Sequence, residues 1–270
     1  MEILSERSSR VVAYAKLHRA AVRRAEQQFL VEGANSVVAA LATSRARTVL
    51  VAESAAPGHE AILDSASAAG IPVLELTDRA AHKLSEAQAP PGIFAVCPLL
   101  DADLDEVLDA EPKLLAIAVE PREPGNAGTL IRTADAMGAA AVLFLGDSVD
   151  PHNGKCVRAS AGSVFHLPIV RRREVTEVLS SLQAAGFTLL ATAADGECNL
   201  DTAADILAGR TAWMFGNEAH GLPDEVAALA DHRVSIPIGG RAESLNLAAA
   251  ASICLYESAR VQRGVSASTP

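Results

Sequence analysis

Six short, mostly continuous apolar runs recur between residues 113 and 238 of this chain. They are KLLAIAVE (113–120), AAVLFLG (140–146), HLPIV (166–170), FTLLATA (187–193), TAWMFG (211–216) and RVSIPI (233–238). A strand with one face in water alternates apolar and polar residues, so a continuous apolar run must be covered on both faces. Helical patterns lie between most of the runs. The combination predicts an α/β fold built on a parallel sheet with helices on both sides.

The first hundred residues predict a smaller α/β unit. A helix is expected over 8–28, FLVEG (29–33) leads into a second helix at 34–43, and strands are expected at 48–54, 71–76 and 93–100. A helix at 57–69 lies between the first two strands. The stretch DADLDEVLDAE (101–111) holds six acids and no base and marks the boundary. The expected domains are 1–105 and 106–263, with a long Ala-rich helix at 244–260 and a disordered tail at 264–270.

Composition narrows the class. Half of the 270 residues are apolar but only 3% are aromatic, so small aliphatic side chains build the core. Disorder, collagen and a disulfide scaffold are excluded. No run approaches 18 apolar residues and the N-terminus has no apolar h-region, so neither a membrane span nor a secretory signal is expected. The four cysteines are dispersed without a CxxC, which fits a reduced, cytoplasmic protein. No cluster has metal-ligand spacing. Net charge is −10, a poor match to a polyanionic partner, yet residues 1–24 carry six basic and two acidic residues. That helix either meets phosphate or is simply a solvated face.

Nucleotide chemistry of the common kinds drops out, because neither GxGxxG nor GxxxxGK[ST] occurs. Three other segments differ from plain scaffold. In Pro124–Ala134 a loop with two glycines opens a helix, whose free N–H groups and Arg132 can hold an anion; the alternative is a capped helix with Asn126 near its N-cap. Phe215–Leu222 follows an apolar strand, and Gly216 permits close backbone approach at the edge where open parallel sheets bind ligands. Glu218 there is either functional or a helix N-terminal charge. Ile236–Asn246 repeats the pattern of strand, Gly-rich loop and helix start, with Ser244 as a candidate N-cap. The run 247–251 has almost no side-chain bulk, as a tight chain crossing or dimer face requires.

Together these segments resemble the SpoU/TrmH family of RNA ribose 2′-O-methyltransferases, in the SPOUT superfamily. The family patterns N-x-G-x-x-x-R, F/MGxExxG and IPMxGxxxSLN…LYE read here as Asn126-x-Gly128-x-x-x-Arg132, Phe215-Gly216-Asn217-Glu218-Ala219-His220-Gly221, and Ile236-Pro237 through Ser244-Leu245-Asn246 to Leu255-Tyr256-Glu257. Residues 158–163 look like the family's middle segment. Leu247-Ala248 departs from the usual Val-Ser. Residues 1–100 look like the family's N-terminal RNA-binding extension, which is similar to certain ribosomal proteins.

The resemblance implies a sheet whose C-terminal segment threads a deep trefoil knot, an S-adenosylmethionine site within it, and a homodimer that completes the active site. Gly216, Ile236 and Leu245 would hold the cofactor. Arg132 would stand beside the reacting nucleotide, either taking a proton or, as preferred here, anchoring phosphate and stabilising the developing oxyanion. Asn126, Glu218, Ser244 and Asn246 would orient these groups. Arg10, Lys16, Arg23 and Arg24 would contact RNA, ribosomal rather than transfer RNA, and not DNA. A non-catalytic RNA-binding or ribosome-assembly factor and a small-molecule enzyme are the competing classes.

Overall fold

The structure is a computed structural model that describes residues 3–267, with side chains through residue 264. Among these residues no helix is long and apolar enough to cross a membrane. The chain forms two compact units, one of residues 1–100 with 150–166, the other of 101–149 with the rest of the C-terminal portion.

The first unit begins with α1 (Ser9–Ala15) and α2 (Ala20–Glu26), followed by β1 (Gln28–Glu32), α3 (Ala34–Ala42), β2 (Thr48–Ala52), α4 (Glu60–Ala68), β3 (Val73–Leu76), α5 (Asp78–Leu84) and β4 (Ile93–Pro98). Its sheet runs β1-β4-β2-β3, with β4 antiparallel to both neighbours and β2 parallel to β3. The single helix expected over 8–28 is therefore two helices and the start of a strand. A 3-10 turn, Lys16–His18, buries Leu17, and Arg19 is extended at φ −89°, ψ 123°. Arg23 makes the break tolerable. Its Nη1 donates to the carbonyls of Leu17 and His18, both at 2.9 Å, which replaces helix bonds lost at the turn.

The second unit holds α6 (Leu104–Asp109), β5 (Leu114–Val119), α7 (Pro124–Met137) and β6 (Ala141–Leu145). After α8 (Gly154–Ser160), which lies in the first unit, come β7 (Ile169–Arg172), α9 (Val175–Ala184), β8 (Thr188–Thr192), β9 (Cys198–Asn199), α10 (Ala204–Leu207), β10 (Thr211–Phe215), α11 (Asp224–Ala227), β11 (His232–Ser235) and α12 (Leu247–Ala267). The seven strands are ordered β7-β6-β5-β10-β8-β11-β9, and every neighbouring pair is parallel. All six expected runs contribute a strand, although β11 stops at Ser235 and the two-residue β9 is an addition. The buried Trp213 Nε1 donates to Ser258 Oγ at 2.7 Å, which fastens α12 to the central strand. Helix α12 starts three residues later than expected, because Asn246 caps it: its Oδ1 accepts from Ala248 N at 2.8 Å. The helix continues through Ala267 into the expected tail, whose residues 268–270 lie outside the described residues.

Residues 150–166 join the first unit through buried polar contacts. Arg23 Nε and Nη2 reach Asp150 Oδ2 at 2.9 and 2.6 Å, and Arg158 Nη1 reaches Glu32 Oε2 at 2.7 Å. His152 Nε2 accepts from Leu100 N at 2.9 Å, so its proton sits on Nδ1, facing Asp150 Oδ1 at 3.4 Å. The His152 ring lies 4.8 Å from that of Phe29, and Phe165 stacks on Phe29 at 6.0 Å. Arg23 thus departs from its expected role as an RNA contact: it is buried and paired, whereas Arg10, Lys16 and Arg24 are exposed.

Burial pushes the Asp150 carboxyl up, but the hydrogen bond from His152 and the charge of Arg23 outweigh it and hold the carboxyl below the usual carboxylate range. A depressed carboxyl adds stability above its unfolded-state value, near pH 4, and loses it as pH falls toward the folded value. Asp150→Ala leaves Arg23 buried without its counter-charge, and breaking such a pair costs about 3–5 kcal/mol. Urea unfolding read by hydrogen exchange at β1 amides should show that loss at pH 7 and a smaller one at pH 3.

Candidate active site

Parallel pairing brings the C-terminal ends of all seven strands to one edge. There a cavity of about 710 Å³ opens between the segment that ends β8 (191–195), the loop after β10 (215–222), the exit of β11 and the start of α12.

The loop after β10 folds back on Gly216. A Cβ at this glycine would stand 2.1 Å from the Gly221 carbonyl carbon and 2.2 Å from Leu222 N. The glycine is required by the chain's own backbone, not only by an approaching ligand. Asn217 and Gly221 exchange backbone hydrogen bonds of 2.9 and 2.8 Å, closing a turn. The Asn217 side chain ties that turn down, donating to Glu120 O at 2.9 Å and accepting from Ala219 N at 2.8 Å.

Glu218 leaves this turn toward α7. It accepts from Arg122 N at 3.1 Å, Glu123 N at 3.3 Å and Asn126 Nδ2 at 3.0 Å. The anion expected at the α7 N-terminus is therefore this chain's own carboxylate. Asn126 is not the N-cap: Pro124 is the first helical residue and Glu123 the cap position, without a side-chain cap bond. Asn246 Nδ2 donates to Asn126 Oδ1 at 3.1 Å while its own Oδ1 caps α12. One hydrogen-bonded series thus joins the starts of α7 and α12 to the Glu218 loop. Partial burial pushes the Glu218 carboxyl up, but the bonds from Asn126, Arg122 and Glu123 prevail and hold it below its ordinary value.

Of the expected site residues, Gly216, Glu218, Ile236, Ser244 and Leu245 line the cavity, and Asn126 and Asn246 reach it through Glu218. Ser244 is not a cap, since Asn246 holds that place. Arg132 is exposed on α7, outside the residues that line the cavity. Leu247, Ala248 and Ala251 are buried, and α12 packs on α7, where Thr133 meets Ser252 at 3.2 Å. That small-residue run therefore serves a close crossing within the chain. The exposed apolar side chains of this region are Leu245, Ile253 and Tyr256.

The cavity also uses residues that the sequence reading did not single out. Asp195 pairs with Arg233, whose backbone N donates to Glu197 Oε1 at 3.0 Å. Gly196 lies so close to β11 that a Cβ would stand 2.7 Å from Arg233 O. His220 occupies the exposed tip of the Asn217–Gly221 turn. The rule that ligands sit beyond strand C-termini points to the end of β8 as well as those of β10 and β11. Chemically, Phe215, Ile236, Ile238 and Leu245 offer apolar walls to a flat ring, while backbone groups and Glu218, His220 and Asp195 make the mouth polar.

This sheet, with its edge cavity closed by the helix that follows the last long strand, defines an α/β domain of the SPOUT methyltransferase class. The chain belongs to the SpoU rRNA methylase family, whose model matches residues 113–256. A model described as an MRM3-like substrate binding domain matches residues 8–95. The Bacillus subtilis 23S rRNA (guanosine(2553)-2′-O)-methyltransferase RlmP is 32% identical over 94% of this chain and 98% of its own length. The 23S rRNA (uridine(2479)-2′-O)-methyltransferase of Streptomyces viridochromogenes is 37% identical over 68% of this chain and 65% of that protein. Among solved structures, AviRb from Streptomyces viridochromogenes with AdoMet matches at TM-score 0.82 and 29% identity, covering 96% of this chain and 100% of that one. The AdoMet-bound rRNA methyltransferase from Sinorhizobium meliloti matches at TM-score 0.82 and 30% identity over 96% and 98%.

Gly216→Ala should force residues 221–222 outward, because backbone rather than a flexible side chain blocks the new Cβ. Overpacking of this kind costs roughly 1–3 kcal/mol. Calorimetry should show S-adenosylmethionine affinity reduced at least about tenfold, the equivalent of 1.4 kcal/mol, while the emission of buried Trp213 stays unchanged.

Proposed function

We propose that this chain transfers a methyl group from S-adenosylmethionine to a ribose 2′-hydroxyl in ribosomal RNA. The observation that carries the proposal is the Glu218–Asn126–Asn246 series, which assembles three separate sequence segments around one edge cavity. The residues present fit the cofactor. Ile236, Leu245 and the backbone at Gly216 offer an apolar slot for adenosine, and the cavity carries more carboxylates than cations, which suits a cationic ligand. When bound, the cofactor supplies a methyl group on a positively charged sulfur. Excluding water falls to the Gly216–Leu222 loop and the residues before α12. The 23S rRNA activity of the relatives and the substrate-binding match at 8–95 favour ribosomal RNA over transfer RNA. A cytoplasmic location follows from that substrate, and the C-terminal segment is read as the trefoil of the class.

The chain acts as a homodimer in this reading. Arg132 lies outside the lining of its own cavity and has no hydrogen bond or ion pair among the described residues, so it is available to the cavity of a second copy. The exposed Leu245, Ile253 and Tyr256 give a two-fold contact its apolar centre. Arg132 holds phosphate and stabilises charge developing on the ribose oxygen.

Single-turnover transfer from labelled cofactor to a ribosomal RNA fragment tests this. Arg132→Ala should lower kcat and kcat/KM together by about 10²–10³ with cofactor affinity intact, and Arg132→Lys should recover only part. Mixing Arg132→Ala with Gly216→Ala chains should restore activity, since a mixed dimer holds one complete site. No transfer by the wild-type chain to any ribosomal RNA would leave a binding protein of the same fold. In the first unit, charge reversal at Arg10, Lys16 and Arg24 should flatten the salt dependence of RNA affinity by about 0.7–0.9 per lost phosphate contact.

A further inference from the structure

We infer that His220 is the group that accepts the ribose 2′-hydroxyl proton, an assignment that rests on the methyl-transfer reading above. Five titratable side chains line the cavity: Asp195, Glu218, His220, Asp224 and Arg233. Asp195 and Arg233 are bound to each other. Glu218 accepts three hydrogen bonds, which favour its ionised form over taking up a proton. Asp224 is a carboxylate, a weak base at neutral pH. Arg132 is a guanidinium and holds its proton. Imidazole takes up and returns a proton near neutrality.

The setting of His220 suits the task. It is exposed at the tip of a turn that is fixed below it by the Asn217–Gly221 backbone pair and by Asn217 Nδ2 on Glu120 O at 2.9 Å. Among the described residues it has no hydrogen bond or ion pair, so both ring nitrogens are free for a substrate. The imidazolium formed in the reaction would share the cavity with the carboxylates of Glu218 on its own turn, Asp224 at the start of α11 and Asp195 beyond β8, against one cation, Arg233 on β11.

The step balances. The 2′-oxygen bonds to the methyl carbon as the carbon–sulfur bond breaks, and the bonding pair stays on sulfur, which becomes neutral. The hydroxyl proton passes to an imidazole nitrogen of His220 and leaves for water after product release.

Two measurements on the full chain test the assignment. The first needs no turnover: carbethoxylation of His220 by diethyl pyrocarbonate, followed by mass spectrometry, should slow several-fold when S-adenosylhomocysteine fills the cavity. The second is the pH dependence of single-turnover transfer. The wild-type rate should rise about tenfold per pH unit below neutrality and then level, and His220→Gln should lose that limb and about 10²–10⁴ in rate near pH 7. Cofactor affinity should be unchanged in the variant, and added imidazole should restore part of the rate to His220→Ala. A His220→Gln chain that methylates ribosomal RNA at the wild-type rate, or keeps the acid limb, overturns the assignment alone. Unaltered carbethoxylation with the cavity filled also overturns it. A wild-type chain that binds cofactor but methylates no RNA overturns this assignment together with the reading beneath it.

Discussion

The Glu218 carboxylate is the contact on which the edge cavity depends. Helix α7 opens on Pro124 without a side-chain cap from Glu123, so the amides leading into it need an acceptor from elsewhere. Glu218 provides one from 95 residues along the chain. These bonds lie at the surface, where a typical hydrogen bond contributes about 0.5–1.5 kcal/mol, and together they hold the helix start and the loop to each other. Asn126 carries the constraint on to Asn246, and Asn246 fixes where α12 begins. The cavity is enclosed by segments whose geometry is set through this series. Gly216 is part of the same arrangement, because only a residue without Cβ lets the loop double back far enough to deliver Glu218.

How much of this the sequence discloses depends on where each partner lies. The parallel sheet is legible in runs such as KLLAIAVE and AAVLFLG, because double-sided burial is a local property of each run. The motif residues are legible too, since strand, glycine and helix start follow one another within a dozen positions. The break at Lys16–Arg19 is not, because what stabilises it is Arg23, and what orients Arg23 is Asp150, 127 residues away. The membership of residues 150–166 in the first unit is hidden for the same reason: Glu32 and Arg158 are 126 residues apart. The run 247–251 reads equally as a crossing within the chain or a face between chains; the burial of Ala248 and Ala251 shows the crossing, while Ala249 is left exposed. Strand β9, two residues long, carries no periodicity from which to read it.

A net charge of −10 opposes an RNA substrate at long range, but a sum over the chain hides how its charges are placed. Seven of the acids pair with cations of the same chain: Asp101 with Arg171, Asp103 with Arg172, Asp147 with Arg122, Asp195 with Arg233 and Glu257 with Arg260 at or near the surface, and the more buried Glu32 with Arg158 and Asp150 with Arg23. These pairs carry almost no net field beyond a Debye length, about 8 Å at physiological salt. Arg10, Lys16, Arg24 and Arg132, all exposed, have no carboxylate partner among the described residues. A polyanion responds to the local, uncompensated charge at close range more than to the distant sum. The acidic excess repels a polyanion from surfaces that carry no uncompensated cation. Selectivity for a particular RNA surface would follow from where cations are left unpaired.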